Sequence, residues 1–459
     1  MTTTTTTIPS DQLRAELTGE VIGPGDAGYD AARAVFVGGI DRHPALIARV
    51  ADAADVRRAV ELARESGLPL AVRGGGHSNA GHGVCDGGIV IDLRDMRQLD
   101  IDVEGRTAWA QAGLTAGEVT TAAAEHGLAV GFGDTGSVGI GGITLGGGIG
   151  YLVRRFGLTI DDLLAAEIVT ADGRLLTVDA EHHPDLFWAL RGGGGNFGVV
   201  TRFRYRLHEL PSFTGGMLML PANAQVIAGF VAMAQAAPEA LSTIANVMPA
   251  PPMPFVPEEW HGKLVVMGML AFAGEAEEAQ RAVAPFRALA TPIADMVRPM
   301  AYPEMYPPEG DDYHPIAAVQ TLFADRFGVP EAEAVMQHLE ASDAMMRVAQ
   351  IRVLGGAMAR VPGDATAFAH RSRPILVNVA ALYTEPSERP AHAAWVETFA
   401  TVLRNGAPGA YVNFLADEGP DRVHESYPGD TWDRLASVKR AYDPENLFRL
   451  NQNVPPADS

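Results

Sequence analysis

Val72-Arg73-Gly74-Gly75-Gly76-His77-Ser78-Asn79-Ala80-Gly81 decides how the rest of the chain is read. The run before it, Leu68-Pro69-Leu70-Ala71-Val72, is short, apolar and closed off by Gly67 and Gly74, the pattern of a buried strand. Such a strand delivers three glycines and then a histidine to a turn. Without Cβ atoms in the way, successive main-chain N–H groups can converge on an anion, and a histidine at the mouth of that nest sits beside whatever carries the charge. On this stretch alone, a tight turn with a surface histidine is an equally good reading.

The flanking sequence supplies the elements around the turn. Residues 47–50 read as a strand and 52–66 as an amphipathic helix with Val56, Val60 and Ala63 on one face. A second strand, 88–93, follows the turn Asp86-Gly87-Gly88, and Thr115 with Glu118 forms a capping-box pattern that opens a helix to about His126. Strand and helix thus alternate as in an α/β or α+β domain. Residues 131–150 hold ten glycines, and the first six residues satisfy G-x-G-x-x-G. More glycine follows rather than a helix, so a Rossmann nucleotide site is rejected. Val138, Ile140, Ile143 and Leu145 are interleaved, which a flexible linker would lack. A hairpin turning at Ala171-Asp172-Gly173, a short helix over 184–190 and a third glycine cluster at 192–195 come next. Asn196-Phe197-Gly198-Val199-Val200-Thr201 then starts another strand. From about Pro211 glycines thin out, prolines cluster at 249–257 and 299–308, and Met-rich helical segments alternate with strand-like runs such as 264–270 and 375–382. A helix over 432–442 is stopped by Asp443-Pro444, and Asn451-Gln452-Asn453 closes the patterned part of the chain.

The totals set the limits. A chain of 459 residues implies two or three domains, and 47% hydrophobic with 20% charged residues is a globular balance. A net charge of −21 argues against nucleic acid or an anionic membrane as a partner. Lys263 and Lys439 are the only lysines, and neither has the glycine spacing of a Walker loop. The single cysteine, Cys85, excludes an intramolecular disulfide and a cysteine metal site and reads as a small buried hydrophobe. His182-His183 and Tyr313-His314-Pro315 lack metal-ligand spacing, so no metal is assigned. Residues 1–8, a threonine run without the marks of a signal peptide, are expected to be a disordered tail. No stretch reaches the roughly 18 apolar residues of a membrane helix, and a cytoplasmic protein is expected.

Five blocks in order now matter together: Arg73 to Ser78, Leu145 to Gly150, Asp185 to Gly198, Tyr411-Val412-Asn413, and Tyr442 to Asn453. With them the chain resembles the flavin-linked oxidases of the vanillyl-alcohol-oxidase type, and most of all the berberine-bridge-enzyme-like branch with its bacterial oxidases. The resemblance implies an α+β fold: a two-part PCMH-type FAD-binding domain with an inserted substrate domain built on an antiparallel sheet backed by helices. The first FAD part would be 1–211, the substrate domain 212–408, and 409–459 a tail returning to the FAD domain.

The resemblance also implies site residues. Arg73, Gly74, Gly75, Gly76, His77 and Ser78 would hold FAD with Gly81 and His82. The second block would add Thr135, Gly136, Val138, Gly139, Gly142, Gly146, Gly148, Gly150 and Tyr151. Gly198, Val199 and Val200 would follow, and then Asn413, Asn451 and Asn453 from the tail. In such members the histidine matching His77 is bonded through a ring nitrogen to the flavin 8α carbon. Many relatives add a cysteinyl bond at the position of Thr135, so a single attachment is expected here. Relatives that use two tyrosines place one where this chain has Ile149, which leaves Tyr151 as the nearby candidate.

The implied reaction is oxidation of a CH–OH (or CH–NH) group of a small sugar, alcohol or secondary metabolite. A base takes the hydroxyl proton, hydride passes to flavin N5, and O2 as acceptor gives H2O2. Tyr411 is the expected base or hydrogen-bond anchor; as a base, a phenol of pKa about 10 would need help from its surroundings. Asn378 is a polar pocket candidate, and Val138 resembles the small gate residue that admits oxygen. The rival readings are a flavin dehydrogenase with a non-oxygen acceptor and a low-turnover flavin-binding protein. The oligomeric state is open.

Overall fold

The computed structural model describes residues 10–306 and 313–458. The threonine run expected to be a disordered tail lies outside the described residues, as do Pro307 and Pro308 of the second proline cluster. Strand Leu70–Arg73 lies parallel to Ile89–Asp92, which in turn lies parallel to Leu46–Arg49, with Glu20–Ile22 antiparallel at the edge. All four residues of Ile89–Asp92 are buried, which is why this central strand reads as a continuous apolar run rather than an alternating one. The crossover is helix Ala53–Ser66. The Asp52 side chain caps it by accepting from the Ala54 and Asp55 N–H groups at 2.8 and 3.0 Å, and Gly67 ends it in the left-handed region. Val56, Ala59, Val60 and Ala63 recur every three or four residues and are buried against the sheet layers.

A second sheet is antiparallel, in the order Leu99–Asp102, Thr107–Gln111, Val199–Arg206, Leu163–Val169, Leu175–Asp179. Helix Ala116–Ala124 opens on the expected capping box, with the Thr115 N–H donating to Glu118 at 2.8 Å. It ends at Ala124 rather than His126, because Gly127 turns the chain at φ +67°. The glycine block departs from the sequence reading: helix Ile140–Leu145 runs inside it, where only further glycine was expected. Its apolar residues explain this, since Ile140 and Leu145 are buried in the core and give the turn a packed face.

The third sheet takes its strands only from 213–383. Its order is Ala294–Asp295, Phe213–Pro221, Leu264–Ala273, Leu241–Pro249, Met346–Val353, Ile375–Tyr383, Ile316–Ala324, antiparallel throughout, with Arg298–Pro299 pairing beside the second of these. Helices Ala224–Ala236, Ala276–Arg287, Val329–Ala341 and Arg389–Leu403 cover one face, with Phe230, Phe286, Val335 and Phe399 in the core between. The long strands are buried on both sides because the other face packs toward the first two sheets. The tail returns there on helix Asp430–Tyr442, which packs on helix Pro184–Leu190. The fold is α+β, with an antiparallel sheet backed by helices inserted before the returning tail.

Candidate cofactor and active site

A cavity of about 480 Å³ lies where the three sheets meet. Its wall takes the turn after Leu70–Arg73, the second and third glycine clusters, three strands of the large sheet and two pieces of the tail. The main-chain N–H groups of Gly75, Gly76, His77 and Ser78 make no hydrogen bond within the chain among the described residues, and all four residues line this cavity. These half-buried donors face the cavity, and four in succession form a nest for an anion. The nest is held by contact between two glycine blocks. A Cβ built on Gly75 would lie 2.3 Å from the Gly139 nitrogen, and one on Gly139 would lie 2.2 Å from the Gly75 nitrogen.

Two other glycines leave room rather than permit contact. Gly142 and Gly195 line the cavity, and a Cβ on either would meet no atom of the chain within 4 Å. They form a cradle that side chains would fill. Val138, Gly139, Thr135, Gly198 and Val200 lie on the wall as expected. The structure does not bring Gly81, Gly136, Gly146, Gly148, Gly150, Val199 or Asn453 to it. The glycines among them serve packing within the chain. Gly146 faces the Asn413 side chain, Gly148 the Thr159 hydroxyl, Gly150 the Phe132 carbonyl, Gly136 the Tyr306 ring and Gly81 the Ile40 side chain. Tyr151 is likewise off the wall, buried in an aromatic cluster with Tyr302 and Tyr306, where burial raises its phenol well above the ordinary value.

His77 lies flat on Phe36, ring centroids 3.9 Å apart and 15° from parallel, and its Nε2 is 3.1 Å from the Ser137 hydroxyl. Burial lowers its pKa to about 4, against an opposing hydrogen bond to the Ser137 main chain, so the ring is neutral near pH 7. His82 is also held neutral by burial, its pKa lowered to about 4, and its buried Nε2 has no partner in the chain. The Arg73 guanidinium does not reach for a ligand. It is buried, paired with Asp92 at 2.7 Å and donating to the Ala32 and Ala34 carbonyls, so only its main chain serves the cavity.

Tyr411 reaches the cavity fully buried. Its hydroxyl oxygen accepts from the Gly148 and Ile149 N–H groups at 3.0 and 3.1 Å and from the Asn413 amide at 2.9 Å. Burial raises the phenol above its ordinary value while those three donors pull the other way, so near pH 7 the group keeps its proton and can donate it in a hydrogen bond. Asn378 and Asn451 both line the wall, and each has a buried side-chain oxygen without a partner in the chain.

Sequence reasoning missed Phe36, Asp134, Gln350 and Arg352, all on the wall. Asp134 stands in the second glycine block, at a position the motif leaves open, and the other three stand in no motif; strand register and a loop crossing bring them in. It also missed Lys439. Its ammonium is wholly buried, pairs with Asp443 at 2.7 Å, and donates to the Asn196 and Phe448 carbonyls at 2.7 and 2.8 Å. Asn196 in turn donates to the Gln452 carbonyl and accepts from the Val454 N–H, which seats Asn451 against the Gly195 carbonyl. Among the described residues no cluster of three or more His, Cys, Asp or Glu could hold a metal, and no helix is long and apolar enough to cross a membrane.

A nest of free N–H groups, a glycine cradle and orphaned amide and imidazole atoms suit a long ligand with a diphosphate and a polar ring, which is the make-up of FAD. Comparison with known proteins agrees. Residues 44–179 match the model of an FAD binding domain, and 410–455 the model described as berberine and berberine like. An uncharacterized FAD-linked oxidoreductase of Bacillus subtilis, YvdP, is 32% identical, the match covering 96% of this chain and 99% of that one. The (R)-6-hydroxynicotine oxidase of Paenarthrobacter nicotinovorans is also 32% identical, over 96% of this chain and 97% of that one. The crystal structure of 6-hydroxy-D-nicotine oxidase from Arthrobacter nicotinovorans superposes with a TM-score of 0.85 at 28% identity, covering 96% of this chain and 98% of that one. The chain belongs to the berberine-bridge-enzyme-like FAD-linked oxidoreductases and is an enzyme of that family.

Proposed function

We propose that this enzyme carries FAD bonded covalently through His77 and oxidises a CH–OH (or CH–NH) group of a small organic substrate, with O2 as acceptor. The observation that carries the attachment is the placement of His77. It stands on the cavity wall beside the anion nest, neutral, stacked on Phe36 and tied at Nε2 to Ser137. A neutral imidazole nitrogen is a nucleophile, and a ring fixed on two sides is oriented for one direction of attack. Thr135 on the same wall offers no thiol, which supports a single bond.

Bound FAD would supply a two-electron acceptor for the substrate's hydride. The nest of residues 75–78 holds the diphosphate, and Gly142 and Gly195 admit the cofactor body. Asn451 and Asn413 set the tail against it. Tyr411, kept protonated by burial, anchors the substrate oxygen by hydrogen bonding instead of acting as a strong base. Val138 leaves a small opening for oxygen. We assign 1–211 and 409–459 to the FAD domain and 212–408 to the substrate domain, supported by the sheet that draws strands only from 213–383. The cytoplasm is the proposed compartment, supported by a single, buried cysteine.

Acid denaturation is the first test. Flavin that stays with the precipitated protein, and is released in His77→Ala, is the expected result. Flavin freed from the wild-type protein removes the attachment. Peroxide formed one-for-one with oxidised substrate separates an oxidase from a dehydrogenase using another acceptor. A flavin that no alcohol, sugar or amine bleaches would leave only a binding protein.

A further inference from the structure

Arg352 stands on strand Met346–Val353, on the sheet face that closes the cavity opposite the glycine turn. Its side chain is 4% exposed and completely oriented. Nε and Nη2 both donate to the Gln350 side-chain oxygen Oε1, at 3.0 and 2.6 Å, and Nη2 also donates to Asp134 at 2.7 Å. Gln350 is itself fixed, its amide donating to Asn246 at 3.0 Å, and the guanidinium lies 5.1 Å from the Phe414 ring centroid. Nη1 takes no part in any of these bonds. On the next strand Asn378 sits directly opposite Gln350, and its side-chain oxygen is buried without a partner. Arg352 and Asn378 are therefore diagonal neighbours on one sheet face, within about 8 Å of each other, both on the cavity wall.

We propose that Arg352 Nη1, as donor, and the Asn378 side-chain oxygen, as acceptor, form a two-point clamp that selects an electrically neutral molecule bearing an oxygen beside an N–H or O–H group over a cationic amine. This rests on the FAD-oxidase reading of the cavity. Arg73, Asp134 and Arg352 are the charged residues on the wall among the described residues. Arg73 is used by Asp92 and Asp134 by Arg352, so no free carboxylate is left to receive an ammonium. An ammonium entering the cavity loses its hydration and finds no free carboxylate to replace it, whereas a neutral oxygen gains a charge-assisted hydrogen bond from Nη1. A free carboxylate is also poorly matched, because Asp134 already cancels most of the guanidinium charge. The fixed fork carries little ordering cost on binding, since three of its hydrogen bonds exist beforehand. Phe414, Val319 and Leu415 line the remainder and suit a hydrocarbon or ring body.

Two small ligands of equal size test the clamp on the purified holoprotein: δ-valerolactam, neutral with one carbonyl oxygen, and piperidine, cationic at pH 8. Calorimetry gives affinity whether or not flavin responds, and the flavin absorbance change reports proximity to the cofactor. We expect the lactam to bind at least tenfold more tightly than piperidinium. Arg352→Gln lowers lactam affinity roughly 10- to 100-fold and narrows the gap between the ligands. Because that variant also strands Asp134, Asn378→Ala is the companion; it leaves the Arg352–Asp134 pair intact and is expected to weaken the lactam several-fold. Piperidinium binding as tightly as the lactam overturns the proposal, as does lactam affinity unchanged in both variants, or neither ligand binding the wild type. Protein purified without flavin would count against the cofactor reading alone, and calorimetry would still decide the clamp.

Discussion

Replacing Gly142 by alanine separates what the fold needs from what the cofactor needs. Gly142 lies inside helix Ile140–Leu145, and its Cβ would project from the cavity wall with no atom of the chain within 4 Å. Alanine is favoured over glycine in a helix by about 0.5–1 kcal/mol, so the flavin-free protein should become slightly more stable. The same methyl group occupies space the cofactor requires. Forcing one extra carbon into a packed contact costs about 1–3 kcal/mol, which is a loss of FAD affinity of roughly 5- to 150-fold. Gly75→Ala is the contrast. Its Cβ would lie 2.3 Å from the Gly139 nitrogen and 2.8 Å from its Cα, a collision between two backbones that destabilises the protein with or without flavin. The assay uses a His77→Ala background, in which flavin is expected to exchange. Urea unfolding of the flavin-free protein gives the first quantity and quenching of flavin fluorescence on titration the second. Undiminished FAD affinity in Gly142→Ala, or a flavin-free protein less stable than its parent, would refute the cradle.

Lys439→Met should cost about 3–5 kcal/mol of stability, because it leaves buried Asp443 without its cation. Combining it with Asp443→Asn should recover part of the loss, and denaturant titrations of the single and double variants check both. His370 is buried against Phe323, bonded to the Ser426 carbonyl, and lowered by burial to a pKa of about 4. Unfolded, it would titrate near 6.5, so between those values the unfolded chain binds the extra proton. Stability is intact above about pH 6.5 and falls by about 3 kcal/mol toward pH 4, and urea unfolding of His370→Gln at pH 7, 5.5 and 4.5 should show a flatter slope. Tyr411→Phe removes the oxygen on which three N–H groups converge and should slow flavin reduction by substrate about 10²-fold under stopped-flow anaerobic conditions. A rate within a factor of two of the parent would take Tyr411 out of the chemistry.

What the sequence by itself determined was local. Apolar runs, one after a glycine pair and one after a proline, marked Ile89–Asp92 and Ile375–Tyr383, the pattern at Thr115 and Glu118 marked a helix start, and the proline at position 184 marked another. Turns, caps and buried strands depend on neighbouring residues, so a linear reading reaches them. Motif order also reached the family, and with it the expectation for His77 and Tyr411, both of which line the cavity.

Only the tertiary structure decided which glycines face a ligand. In the sequence Gly142 and Gly148 look alike. The difference is that Thr159 stands over Gly148 and no chain atom stands over Gly142, a fact set by segments that meet through folding. The same holds for Arg352 and Asp134, 218 residues apart and joined at 2.7 Å, and for Lys439, which reaches Asn196 across 243 residues. Tyr151 shows the converse: it sits beside the motif in sequence, yet its ring packs into a buried cluster with Tyr306, away from the cavity wall. Burial, charge pairing and close approach are properties of three-dimensional neighbours, and they decide which groups of this chain face the cavity.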